Sequence, residues 1–388
     1  NPAGLGFLNR PELEVGLWGG FAEGRFSNSA NHNRRLDNSF RAIPEGAFGI
    51  PLCEKVSISL GVVPEAALVS NWKYVDAPGG LDGVTTYGLQ THRSEILVVR
   101  SGLGLGIALT PELSVGASFG LLYNENHLEA PYIFQTQPVL RGFKTLLDLE
   151  TSGFGYNGQF GVLFRPTTDW QFGLTYTTPS TINSTGDASG NAQAQLTSLG
   201  GGFAGVRPDF HYNAEVVTHF PRITAGGVSW QPQARWRILG EINWVNWRDA
   251  FNDLKIKLNK GNNGDLNALL GSRSTEDAVP LRWRDQLIYR TGVEFAATEN
   301  LRLRLGYRYG NNPVPTKTLT PLTAVISEHT ITSGIGYQFG RYQFDLAYQW
   351  DVPNEGKVGR SGLRSGEYSR SKTKIGSHWF GLTTGVKF

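Results

Sequence analysis

The sequence predicts an all-β fold, a transmembrane antiparallel β-barrel of about fourteen strands. Three observations carry that prediction. In the closing stretch His378–Phe388, residues Phe380, Leu382, Val386 and Phe388 share one parity, while Gly381, Thr383, Gly385 and Lys387 share the other. Period-two alternation sends the two sets to opposite faces of a strand, and a strand ending on an aromatic residue suits an outer face solvated by acyl chains. Secondly, strand-like stretches are separated alternately by very short turns and long polar connections. Thirdly, the hydrophobic fraction is only 39%, yet aromatic residues reach 12% and glycine 49 residues. A barrel wall tolerates this because only alternate residues need be apolar.

The elements follow in order. Leu13, Val15, Leu17 and Phe21 begin the first strand, and the polar stretch Asn28 to Arg41 leads to a second near Gly46–Leu52. A tight turn at Cys53-Glu54 opens the third, with Val56, Ile58, Leu60 and Val62 against Ser57, Ser59 and Gly61. The fourth spans about Arg93–Leu109, and Thr110-Pro111-Glu112 turns it into the fifth, Leu113–Tyr123. Leu128–Thr151 is expected to hold a short helix in an external loop. The sixth and seventh strands are Phe154–Phe164 and Trp170–Tyr176, and Thr181–Gly205 is expected to be an exposed loop. Val216–Trp230 and Trp236–Trp247 are the eighth and ninth, followed by a long polar loop, Asp249–Pro280. Leu287–Phe295, Leu301–Tyr309, Ile331–Phe339 and Tyr342–Trp350 are the next four. The loop Asp351–Ser377 leads to the closing strand. Short turns on one end and long loops on the other are the arrangement of bacterial outer-membrane barrels.

The faces follow from cost. Arg302, Arg304 and Arg308 oppose Leu301, Leu303, Leu305, Tyr307 and Tyr309 in one strand. An arginine on the lipid face at the midplane costs roughly 2–4 kcal/mol, so the arginines face the lumen. By the same parity Gln286, Arg290 and Glu294 face inward, as do Gln343, Asp345 and Gln349. Mixed signs in one lumen imply mutual pairing. The tryptophans, including Trp230, Trp244, Trp283, Trp350 and Trp379, are expected mostly in the interfacial girdles.

Several functions are excluded. A net charge of +3 without a basic cluster argues against nucleic acid. Cys53 is alone, and the seven histidines have no metal-ligand spacing, so neither metal nor cofactor is expected. Gly102-Leu103-Gly104-Leu105-Gly106 is no phosphate loop, because its glycines recur with period two on the inward face of a strand. The one G-x-S-x-G match, Gly116 to Gly120, lies within the alternation of the fifth strand, with Ser118 on the same parity as its glycines, and not at a strand-to-helix elbow, so an enzyme is not expected. The third strand carries an irregularity: Gly61, Val62, Val63 and Pro64 follow its clean alternation, and proline is confined to strand ends, edges and bulges. It is either the strand's end or a lateral opening in the wall.

The chain resembles the FadL-type outer-membrane transporters of hydrophobic compounds. The resemblance rests on Asn1-Pro2-Ala3-Gly4-Leu5, Asp169-Trp170 with Gly173-Leu174-Thr175-Tyr176, and Trp244–Trp247. It continues through Trp283-Arg284-Asp285 with Tyr289-Arg290, Asn300 to Tyr307, and Pro313-Val314-Pro315. It implies a fourteen-stranded barrel and passive uptake of long-chain fatty acids or hydrocarbons. It also implies a lateral exit at Gly61–Pro64 and an N-terminal plug, of which residues 1–10 are the end and the rest is missing from this chain, with residues 11–388 the barrel. For a substrate carboxylate the family has basic residues. One position matches Arg284; at another, Tyr123 is followed by Asn124, Glu125 and Asn126 instead. Arg284, with Arg100 and Arg290, is therefore the candidate binding set, and Leu128–Leu149 a candidate capture surface. The expected location is the outer membrane of a Gram-negative bacterium, multi-pass. Expected partners are a hydrophobic small molecule, lipid or detergent, and the barrel-assembly machinery through the strand ending at Phe388. The alternatives are a general porin for small polar solutes and an outer-membrane lipid hydrolase.

Overall fold

The computed structural model describes residues 1–37 and 40–388; Asn38 and Ser39, in the polar connection 28–41, lie outside the described residues. Fourteen antiparallel strands close into one barrel. They are β1 (Glu12–Ser27), β2 (Arg41–Cys53), β3 (Val56–Val75), β4 (Leu89–Ala108), β5 (Leu113–Ile133) and β6 (Lys144–Phe164). Four interrupted strands follow: β7 (Trp170–Thr177 and Ser180–Asn191), β8 (Asp209–Phe220 and Ile223–Gln233), β9 (Trp236–Val245 and Asp253–Asn259) and β10 (Thr275–Pro280 and Gln286–Ala296). The last are β11 (Leu301–Gly310), β12 (His329–Phe339), β13 (Tyr342–Val358) and β14 (Ser371–Lys387). Closure is made by β1, which pairs with β14 from Glu12↔Lys387 to Ser27↔Lys372 and on its other edge with β2. Short turns follow β2, β4, β6, β8, β10 and β12, at the end where both chain termini lie.

Lipid and water sides invert along the strands. In the lower wall the apolar parity faces out: Leu303, Leu305, Tyr307 and Tyr309 on β11 are exposed, as are Phe380 and Leu382 on β14. Farther up, the strands leave the apolar layer and the apolar parity turns inward. Leu147, Leu149, Phe210, Tyr212, Ile256 and Leu258 form a water-excluding core there. This extracellular canopy is why several strands outrun the expected ones. Leu128–Thr151 holds no helix: Leu128 pairs with Leu149, and β5 and β6 continue as one long hairpin. Ser180–Asn191 is strand rather than exposed loop, as are Asp253–Asn259 and Thr275–Pro280. Two short helices, α1 (Gln193–Ser198) and α2 (Gly264–Leu270), pack beside them. Asn263 caps α2 by accepting from the amides of Asp265 and Leu266, and Gly271 ends it at φ 64°.

Trp230 and Trp170 stack at 5.5 Å on the outer face near the short turns, as girdle residues do. Of the tryptophans named above, two depart from that role. Trp283 is 4% exposed in a loop core with Phe251 and Leu281. Trp379 takes the inward parity of β14, where its indole donates to Ser377 Oγ at 3.1 Å.

Candidate substrate groove and lumen

The lumen is polar and several of its charges are paired, whereas Arg100 and Arg308 have no ion pair among the described residues. Arg304 donates to Glu294 at 2.8 Å and to Asp345, and Arg302 lies 3.8 Å from Glu294. Arg290 is ion-paired with Glu241. Arg304, Glu294, Arg290 and Glu241 line a cavity of about 720 Å³ against β6 to β12. The N-terminal segment lies in the lumen at the short-turn end. Asn1 Nδ2 donates to the carbonyl of Val162 at 3.0 Å, Ser114 Oγ donates to that of Ala3, and Leu5 packs on Gly104 and Gly106. A Cβ at Gly104 would stand 2.9 Å from Leu5 Cδ1. The inward glycines of β4 are thus a seat for this segment.

Of the three candidate arginines, Arg100 is the most enclosed, 7% exposed on β4. It lies over Gly102 and Gly120, donating through Nε to Asn157 Oδ1 and through Nη2 to Ser118 Oγ, both at 2.8 Å. Arg284 sits between the two parts of β10, exposed, its amide held by Pro313 O at 2.8 Å. No hydrogen bond or ion pair among the described residues links Arg100, Arg284 and Arg290. They do not form one cluster.

At Gly61–Pro64 the strand does not end: β3 runs on to Val75. What ends is its pairing with β2, whose last rung is Gly46↔Val62. Above it β3 keeps β4 as partner, and a bulge between Pro64 and Ala66 leaves Glu65 unpaired. The extra residue reverses parity, so Ser57, Gly61 and Val63 face inward below it and Ala66, Leu68 and Ser70 above. The result is a seam between β2 and β3. Behind it lies a pocket of about 260 Å³ bounded by Ala67, Leu68, Phe21, Leu322, Val325 and Trp379.

A second apolar recess, about 220 Å³, lies in the canopy. Phe134, Leu140 and Phe143 from the β5–β6 loop face Phe203, Leu266 and Leu270 across it, and no charged side chain lines it. Its parts are pinned by buried polar groups. Asp277 on β10 accepts from the amides of Gln135 (2.8 Å), Thr136 (2.6 Å) and Gln137 (3.0 Å), and from Tyr132 Oη. Gln195 on α1 accepts from the amides of Leu81 (3.0 Å) and Lys144 (3.1 Å). Burial pushes the phenol of Tyr87, in the neighbouring loop, up from its ordinary value, keeping it neutral as it donates to Asn191 O at 2.9 Å. Part of the expected capture surface, Leu128–Leu149, is here; the helix residues opposite were missed, and only their Leu-rich spacing in a polar loop could have signalled them. One His–carboxylate cluster, His127 with Asp148 (3.1 Å) and Glu150 (3.5 Å), arises from strand register rather than sequence spacing.

Solved structures with this architecture include a FadL homologue from Pseudomonas aeruginosa, 14% identical with a TM-score of 0.78, covering all of this chain and 93% of that one. The toluene transporter TodX of Pseudomonas putida is 17% identical with a TM-score of 0.77, covering 100% and 92%. The toluene transporter TbuX of Ralstonia pickettii is 17% identical with a TM-score of 0.74, covering 100% and 92%. At these identities the similarity establishes the fold. No curated protein matches the chain. The family model described as outer membrane protein transport protein (OMPP1/FadL/TodX) matches residues 1–388, and the chain belongs to that family of outer-membrane transport channels for hydrophobic compounds.

Proposed function

We propose that this chain takes up uncharged hydrophobic compounds by passive diffusion, from the canopy recess into the lumen and out sideways through the β2–β3 seam. The observation that carries the reading is the recess itself: mostly apolar, on the long-loop end, with no charged lining. Burial there is worth roughly 25 cal/mol per Å² of apolar surface, enough to concentrate a hydrocarbon from water without a polar handle. The seam supports the exit, because a hydrophobic molecule behind Ala67 and Leu68 would face acyl chains rather than periplasm. Residues 1–10 act as a luminal plug, held by Val162 and Ser114. Lipid surrounds the apolar band, and the assembly machinery reads the strand ending at Phe388. Both are parts of the same reading.

A carboxylate-bearing substrate such as a fatty acid is the second reading, favoured by Arg100, whose described hydrogen-bond partners are the neutral Asn157 and Ser118. Arg284 would serve the same head group nearer the loops. Arg290 is the weakest of the three, because Glu241 already neutralises it.

The test is uptake by cells expressing the full-length gene, comparing a neutral aromatic hydrocarbon, a long-chain fatty acid and a small sugar. Faster entry of the hydrocarbon but not the sugar supports the reading. Faster sugar entry alone would make the chain a general porin.

A further inference from the structure

On the outer wall of β13, β14 and β1, the lipid-facing band ends in an aromatic cluster. Phe21 and His378 pack with ring centroids 5.2 Å apart, and Trp350 stacks on His378 at 6.4 Å. Four residues beyond Phe21 stands Arg25, about 13 Å farther out at about 3.3 Å of rise per residue. Register places Lys374 of β14 on one side of Arg25 and Arg35, in the short strand Arg34–Arg35, on the other. Three cations therefore stand abreast. One step farther out, Lys372 is in register with Lys357. Arg25, Arg35, Lys372 and Lys374 line one outward groove of about 710 Å³.

The groove's acids do not balance this charge. Glu355, which stands opposite Lys374 in register, is ion-paired with Lys357 at 3.1 Å, while Glu23, also in the groove, pairs at 3.9 Å with His378 below it. Arg25, Arg35, Lys372 and Lys374 have no ion-pair partner among the described residues, and the undescribed Asn38 and Ser39 carry no charge. Like charges directly opposite across strands are destabilising, so the juxtaposition calls for an anion. The rim is not basic throughout. On β5 to β7 its outer surface carries Asp148, Glu150 and Asp187, whose ion-pair partners are His127 and His211.

We propose that this groove binds the phosphate groups of an outer-leaflet glycolipid whose acyl chains lie on the apolar wall below. The inference rests on the reading of this wall as an outer-membrane barrel. Position favours a lipid over free phosphate: the cations sit at head-group height directly above Phe21, Trp350 and Phe380, so one molecule can meet both surfaces. The short strand bearing Arg35 continues into Leu36, which bridges to Trp72 of β3. A lipid held here would stand beside the β2–β3 seam.

The full chain in neutral detergent tests this with three probes: bis-phosphorylated lipid A, the same lipid without phosphates, and inorganic phosphate. Binding of the phosphorylated lipid should be at least tenfold tighter than of the dephosphorylated one and should weaken steeply with salt. The combined variant Arg25→Gln, Lys372→Gln, Lys374→Gln should lose at least tenfold while keeping heat-modifiable migration. Glu355→Gln, which removes an acid, should bind severalfold more tightly and serves if the triple variant does not fold. Equal affinity for the two lipids, no change in either variant, or displacement by millimolar inorganic phosphate would overturn the proposal. Hydrocarbon uptake measured on the same variants separates the two claims, since lost lipid binding with normal uptake leaves the channel reading standing.

Discussion

Lys144 and Asp76 form an ion pair of 2.7 Å in which the ammonium is fully buried, and Glu367 approaches the same nitrogen at 3.2 Å. One cation thus faces two carboxylates out of water, and it also donates to Ala77 O at 2.7 Å. The arrangement ties the β3–β4 loop to the β5–β6 and β13–β14 loops, the three that shape the canopy.

The surplus negative charge makes this knot sensitive to pH. Burial pushes the Glu367 carboxyl up to about 7 and raises Asp76 as well, each opposed by Lys144. A carboxyl whose folded value lies above its unfolded one holds its proton more tightly when folded. Its stabilisation is complete below the unfolded value of 4.5 and is lost as pH rises towards about 7. Hydrogen exchange in residues 76–88 and 359–370, corrected for intrinsic rates, should be slower at pH 5 than at pH 8. Equal protection at both would contradict this.

Removing the cation should be worse than any pH change. Lys144→Met leaves two buried carboxylates without a partner, a loss of roughly 3–5 kcal/mol in similar buried pairs. Limited proteolysis should cut the canopy loops of this variant while the barrel still migrates as folded.

Asp277 should control the recess rather than the barrel. It gathers three amides and the Tyr132 hydroxyl from the β5–β6 loop, and hydrogen bonds to a charged group are worth roughly 1.5–3 kcal/mol each. Asp277→Ala should weaken binding of a fluorescent hydrophobic probe about tenfold or more. Unchanged binding would remove the recess from the path.

Arg100 separates the two substrate readings. Arg100→Gln should leave hydrocarbon uptake within about twofold of the parent and slow fatty-acid uptake several times more. Gly120→Ala should copy that pattern, because the new methyl would stand 2.6 Å from the Arg100 guanidinium carbon and displace it. Equal loss for both compounds would make Arg100 a structural residue.

Alternation made the lower wall legible. The parity of Leu303 and Arg304, the six short turns and the pairing of luminal charges all follow from one rule, that alternate residues meet lipid. The rule lapses where strands rise into water. Ser180–Asn191 reads as a loop because its outward residues Thr181, Asn183 and Asp187 are polar while its inward Ile182 and Ala188 are too few to mark a period. The recess is assembled from Phe134, Phe203 and Leu266, which nothing in the sequence connects. The third-strand irregularity was visible, but its form was not. Proline marked the place, whereas the bulged residue is Glu65 and the missing partner is β2. Gly61→Val, the obvious substitution from sequence, consequently tests little: its Cβ would meet Ala47 Cβ at 3.3 Å, below the seam, in the part of β3 that β2 still covers.

The direct test of the account is to close the seam where it opens. Leu68→Trp, on the inward parity above the bulge, fills the pocket behind the unpaired edge of β3 without touching the canopy recess. Uptake of a neutral aromatic hydrocarbon should fall at least tenfold while probe binding at the recess and heat-modifiable migration stay as in the parent. Uptake unchanged in a folded Leu68→Trp protein would contradict sideways exit and send the substrate through the lumen past Asn1 instead.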